Sequence, residues 1–227
     1  LPVALFTTPC PVNPREQKWI EESMAWFQAT FGDPRPVVLP DSFTRDDLVA
    51  QLCQLMEVDP TTLTVELYGD SGEQDLARAA GLTVRSQGVA GHYRRENGRP
   101  VVAIDRTLTS VRLIATIAHE LGHVRLDGRY DGADHEPLTD LLTVHFGLGI
   151  FTANAAFDFS QDNHWRTVQR LGYLTEPMFG YGLACHAWRR GEIRPAWARH
   201  LDTNPRAYVK RGLRHLAKSG VGRSGKK

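Results

Sequence analysis

Cysteine is scarce in this chain: Cys10, Cys53 and Cys185 are three residues among 227, odd in number and far apart. That argues against a disulfide scaffold and fits a reducing compartment, so a cytoplasmic location is expected. Long apolar runs are missing too. No stretch reaches the roughly 18 residues of a spanning helix, and residues 1–6 form a short apolar run without a basic flank, so neither a membrane anchor nor an export signal is expected. Net charge is almost absent, at +1, and there is no internal repeat and no clear linker. One domain is therefore expected over residues 1–218, with 219–227 as a flexible basic tail.

The small net charge conceals a division. Residues 188–227 hold 12 Lys or Arg against two acids, Glu192 and Asp202, which leaves 15 basic against 24 acidic residues elsewhere. A basic end of this kind can bind nucleic acid or another anionic surface, dock on the acidic body, or lie solvated. No aromatic stacking set or recognised nucleic-acid motif accompanies it, so docking or solvation is the plainer expectation.

What is present reads as an α+β chain, with a small sheet or hairpin first and a mainly helical C-terminal half. Residues 13–31 carry Trp19, Ile20, Met24, Trp26 and Phe27 at helical steps, with Asn13 as cap and Pro14 at the first helical position. A second helix is expected from Ser42 or Thr44, with Leu48, Leu52 and Met56 on its apolar side. Residues 61–68 alternate as a strand, with Leu63, Val65 and Leu67 on one face. Turn material follows at 70–74. Residues 88–105 predict a hairpin, strands 89–94 and 101–104 joined across Glu96, Asn97 and Gly98. His92 and Tyr93 lie on it, as side chains of a half-exposed sheet or as part of a cleft wall.

Residues 113–128 are the stretch around which the rest is organised. Leu113, Ile114, Ile117, Leu121 and Val124 recur at three- and four-residue steps, with Thr107 or Thr109 as cap and Gly128 as stop. Within that helix stand His119, Glu120, Leu121, Gly122 and His123. Two histidines four residues apart project from one face, separated by about 6 Å of rise, and can share a metal ion. Glu120 is rotated about 100° from His119, beside the metal position, where it could take a proton from water.

Two histidines need a third protein ligand and leave one position for water. A loop at 127–134 leads to a helix near Pro137, and Glu136, thirteen residues beyond His123, is the ligand of choice. Asp140, four residues on, is placed to accept the N–H of a ligating histidine and fix its tautomer. Pro137 puts Glu136 at the helix's first residue or its cap, so His135, Asp140 and His145 stay open as rival ligands.

The sequence His119–Glu120–Leu121–Gly122–His123, followed by Glu136 and Asp140 as Glu-x-x-x-Asp, resembles the gluzincins, a group of zinc-dependent metallopeptidases. The resemblance covers about 40 of the 227 residues. It implies a zincin-like domain in which Zn2+ is held by His119, His123 and Glu136. Glu120 would be general base to a zinc-activated water, Asp140 would orient a ligand, and the substrate would be a peptide or protein.

Downstream, helical structure is expected from about residue 155. Phe157, Phe159, Trp165, Tyr173, Phe179, Tyr181 and Trp188 build a core or line a cleft. Asp158, Gln161, Asp162, Asn163 and His164 form a polar island, and His164, Tyr173 and Tyr181 are candidate oxyanion donors. Residues 205–217 predict a last helix. Two other functions fit the same residues: a non-catalytic or regulatory zinc-binding domain acting through protein partners, and an anionic-surface or nucleic-acid binder using the basic end.

Overall fold

The computed structural model describes residues 9–43, 47–68, 91–105, 108, 110–161 and 174–219. Outside these fall the turn at 70–74, the cap positions Thr44, Thr107 and Thr109, His164, Tyr173 and residues 220–227.

Helix α1, Pro14–Phe31, starts as its sequence dictates. The Asn13 side chain accepts from the backbone N–H of Arg15 and Glu16 (3.0 and 2.9 Å), and Glu16 accepts from the N–H of Asn13 at 3.1 Å. This reciprocal pairing satisfies free donors of the first turn. Ile20, Met24, Phe27 and Phe31 form its buried stripe. Helix α2 runs over Leu48–Leu55 and begins later than Ser42 or Thr44 predicts. Residues Pro40–Ser42 close a single 3-10 turn, and Phe43 then takes an extended conformation that interrupts any helix there.

Strand β1, Thr64–Tyr68, likewise starts three residues late. Asp59 accepts from both the N–H and the hydroxyl of Thr61 (2.9 and 2.8 Å), curling Pro60–Thr62 into a 3-10 turn. A side chain that bonds its neighbouring backbone competes with the sheet, and here it wins. Strands β2, Gly91–Glu96, and β3, Arg99–Asp105, form the hairpin. Asn97 and Gly98 have φ of 51° and 78°, the left-handed pair that a two-residue hairpin turn requires. The sheet order is β1-β3-β2, with β1 parallel and β2 antiparallel to β3. Val101, Val102, Ala103 and Ile104 are all buried, so both faces of central β3 are covered.

The remaining elements are helical: α3 (Ser110–Leu126), α4 (His135–His145), α5 (Gly149–Gln161), α6 (Glu176–Arg189) and α7 (Thr203–Ser219). The helix expected near Pro137 is α4, beginning at His135, and both α4 and α5 pack on α3. α3 lies across β2 and β3 and ends at Leu126, with Gly128 in the turn that follows at a φ of +68°. One apolar cluster joins Phe27, Leu52, Ile104, Leu121, Leu142, Phe151, Leu183 and Leu213. The fold is α+β and mainly helical. No helix among the described residues is long and apolar enough to cross a membrane.

The basic end is partly docked, through neutral oxygens. Arg189 donates to the Gln28 side chain (2.7 Å), Arg190 to Pro34 O (2.8 Å) and Arg211 to Pro9 O (3.1 Å). Arg206, Lys210 and Arg214 are exposed on α7.

Candidate metal centre

Helix α3 sets His119 and His123 one turn apart, with their Nε2 atoms 3.1 Å from each other. The third group arrives on α4, whose entry is pinned from outside. The Asp134 carboxylate, just before the helix, accepts from the Trp19 indole of α1 and from the Tyr130 hydroxyl. Glu136 is the second residue of α4 and Pro137 the third, where a missing N–H costs nothing because the first turn's donors have no helical partner. From there Glu136 Oε2 lies 3.2 Å from His119 Nε2 and 3.3 Å from His123 Nε2.

Gly122 lets the two helices come this close. A Cβ at that position would stand 2.7 Å from Thr139 Cγ2, inside any normal carbon contact. The same need appears at the strand: a Cβ on Gly91 would meet Glu120 Oε1 at 2.8 Å and Thr116 Cγ2 at 2.4 Å. Glycine at these two places fits β2 and α4 against the two sides of the histidine helix.

Each histidine is held from behind. His119 Nδ1 lies 2.8 Å from Asp140 Oδ1. A carboxylate only accepts, so Nδ1 carries the hydrogen, and in the neutral ring Nε2 keeps its lone pair toward Glu136. Asp140 is fixed in turn by the Leu174 N–H at 3.3 Å. His123 Nδ1 is 3.2 Å from His135 Nδ1, and the Tyr93 ring stacks on His123 with centroids 5.6 Å apart and planes 16° apart. Tyr93 donates to Asp127 at 2.8 Å, as does Arg95 at 2.7 Å.

The electrostatics call for positive charge at the point of convergence. In the metal-free protein a proton supplies it. Burial disfavours the His119 imidazolium, but hydrogen bonds to Asp140 and Glu136 outweigh burial and raise its pKa to about 10. Burial also opposes the charged form of Glu136, yet the bonds from His119 and His123 hold that carboxyl well below the usual range. Glu120, 3% exposed beneath Gly91, is pushed up to about 7 chiefly by burial, with His119 acting against the rise.

The donor set fits a small divalent cation. Zinc–ligand distances of 2.0–2.1 Å in a tetrahedron place neighbouring donors about 3.3 Å apart. The three atoms here are separated by 3.1, 3.2 and 3.3 Å. His119, His123 and Glu136 are the one group of three or more His, Cys, Asp or Glu among the described residues that could hold a metal ion. The histidine side chains are 12% and 9% exposed and that of Glu136 40%, so solvent reaches the group from the Glu136 side.

The rival ligands are distributed differently. Asp140 and His135 contact the Nδ1 atoms, behind the rings. His145 is fully buried among Phe27, Phe31 and Phe146, in the core. Tyr181 is a correction as an oxyanion donor: it is fully buried, and its hydroxyl donates to Glu21 of α1 at 2.5 Å. His92 is exposed, whereas Tyr93 faces α3. Strand alternation carries the signal for this, since Tyr93 shares a face with Gly91, which abuts Glu120. No family model, curated protein or solved structure matches the chain.

Proposed function

We propose that this chain is a zinc-dependent metallopeptidase of the gluzincin type, with a zincin-like domain, that hydrolyses peptide bonds. The observation that carries the reading is the 3.1–3.3 Å triangle of His119 Nε2, His123 Nε2 and Glu136 Oε2, with the buried Glu120 carboxyl alongside. Three protein donors leave a tetrahedral zinc one position for water or substrate, whereas structural sites are closed by four. A bound zinc ion supplies a Lewis acid that acidifies water and polarises a carbonyl.

The protein groups do the rest. Glu120 accepts a proton from the attacking water as its oxygen bonds to the carbonyl carbon. The same carboxyl then delivers that proton to the amide nitrogen as the C–N bond breaks. Asp140 keeps His119 in the tautomer that presents Nε2. Strand β2 pairs only with β3 among the described residues, and its Gly91 end abuts Glu120. That edge is suited to an extended peptide, which would add as a further strand.

Glu120→Gln tests the assignment. The zinc-loaded parent should cleave members of a peptide library read by mass spectrometry. The variant should keep one zinc per chain and lose rate by about 10²- to 10⁴-fold. Undiminished cleavage by Glu120→Gln would contradict the base, and a zinc-loaded parent that cleaves nothing would favour a regulatory metal domain.

A further inference from the structure

We propose that His135 is the positioning residue of the metal centre: its Nδ1 accepts the Nδ1–H of His123 and thereby directs His123 Nε2 at the metal position. The inference rests on the metal reading above. The two imidazole planes are within 4° of each other and their Nδ1 atoms 3.2 Å apart, the separation of an N–H···N hydrogen bond. Such a bond needs the hydrogen on one nitrogen and a lone pair on the other. His123 Nε2 points at His119 Nε2 and Glu136 Oε2, where a ligand to a bound metal must offer a lone pair, so with metal bound the hydrogen sits on His123 Nδ1. His135 Nδ1 is therefore the acceptor.

Helix α4 then serves the site three times in its first two turns. Glu136 meets the metal position directly, Asp140 stands behind His119, and His135 stands behind His123. A neutral ring behind His123 has a physical reason. Glu120, Glu136 and Asp140 already place three carboxyls around the histidines, and a fourth would add like-charge repulsion in a poorly solvated site. An imidazole sets the tautomer without adding charge. Its own position is over-determined: Asp134, the preceding residue, is tied to Trp19 and Tyr130, the Tyr130 ring lies 6.2 Å from the His135 ring, and Thr139 donates to His135 O at 2.8 Å. Tyr93, stacked on His123, limits rotation of the ring that His135 orients.

The test compares the parent with His135→Phe and His135→Asn. Phenylalanine keeps a ring and removes both nitrogens, while Oδ1 of asparagine can occupy the place of Nδ1 and accept the same hydrogen. Zinc affinity is measured by competition with a chromophoric chelator, and the Nδ1–H proton of His123 is followed by NMR in the zinc-loaded proteins. His135→Phe should weaken zinc binding by about 10- to 100-fold, the usual effect of losing such a partner. It should also expose the His123 proton to rapid exchange with water. His135→Asn should recover most of the affinity and keep the proton protected. If His135→Phe does not fold, as judged by circular dichroism, His135→Ala takes its place in the comparison. A parent that binds zinc while the ring-nitrogen-free variant binds equally tightly, or an Asn variant no better than it, overturns the role of His135 and leaves the metal reading intact. A parent that binds no zinc overturns both.

Discussion

Gly122→Ala sets two effects against each other, and the structure says which prevails. Alanine in place of an interior helical glycine gains about 1 kcal/mol of helix propensity. Against this, the new Cβ would lie 2.7 Å from Thr139 Cγ2 and 3.4 Å from Thr139 O. Carbon atoms rest at about 3.5–4.0 Å, so either Thr139 turns or α3 and α4 part by roughly 1 Å. Thr139 is fully buried and its hydroxyl donates to His135 O, so turning it loses that bond. Overpacking of this kind costs about 1–3 kcal/mol, which exceeds the propensity gain and leaves a net loss of roughly 1 kcal/mol. The larger consequence is at the site. Glu136 is one turn before Thr139 on α4, and parting the helices opens its 3.2 and 3.3 Å approaches to the histidines. Urea unfolding of the metal-free protein reads the first effect, and chelator competition for zinc reads the second. Thr139→Ser removes only Cγ2, so combining it with Gly122→Ala should restore zinc affinity. A Gly122→Ala protein that is more stable than the parent and binds zinc as tightly would refute the reasoning.

Two pH effects follow from buried histidines. Burial lowers His145 to about 3 and His186 to about 4 from 6.5, so both stay neutral in the folded chain while the unfolded chain protonates them. Their contribution is complete above 6.5 and is lost as pH falls through those lowered values. Between pH 6.5 and 4.5 the parent should lose about 1 kcal/mol per pH unit more than His186→Gln in urea unfolding, and equal slopes would contradict this. At the metal centre the sign is opposite. His119 is raised to about 10 in the metal-free protein, so at neutral pH an incoming cation must displace its proton. Zinc affinity should strengthen by about tenfold per pH unit through the neutral range, with about one proton released in calorimetry across buffers of different ionisation enthalpy. Binding without proton release would contradict it.

Features specified within a few residues could be read from the sequence. Asn13 with Glu16, Asn97 with Gly98, and the four-residue step from His119 to His123 are of this kind. The late starts of α2 and β1 also have local causes, but these compete with an equally plausible pattern: Thr61 and Thr62 alternate like a strand until Asp59 captures the Thr61 backbone. The second half of the site depends on contacts between distant segments. Spacing could nominate Glu136 and Asp140 on one face of a helix, but could not say which nitrogen of which ring each would meet. His135 looked like a rival ligand for that reason, since its identity says nothing of whether it lies before or behind His123. The bond from Trp19 to Asp134 joins residues 115 apart, and nothing near either residue announces it.

Crystals of the zinc-loaded protein, with anomalous data collected on both sides of the zinc edge, would probe the proposed centre directly. A single strong peak is expected about 2.0–2.2 Å from His119 Nε2, His123 Nε2 and Glu136 Oε2, with solvent at the remaining position. A peak elsewhere, or a fourth side chain completing the tetrahedron, would contradict it.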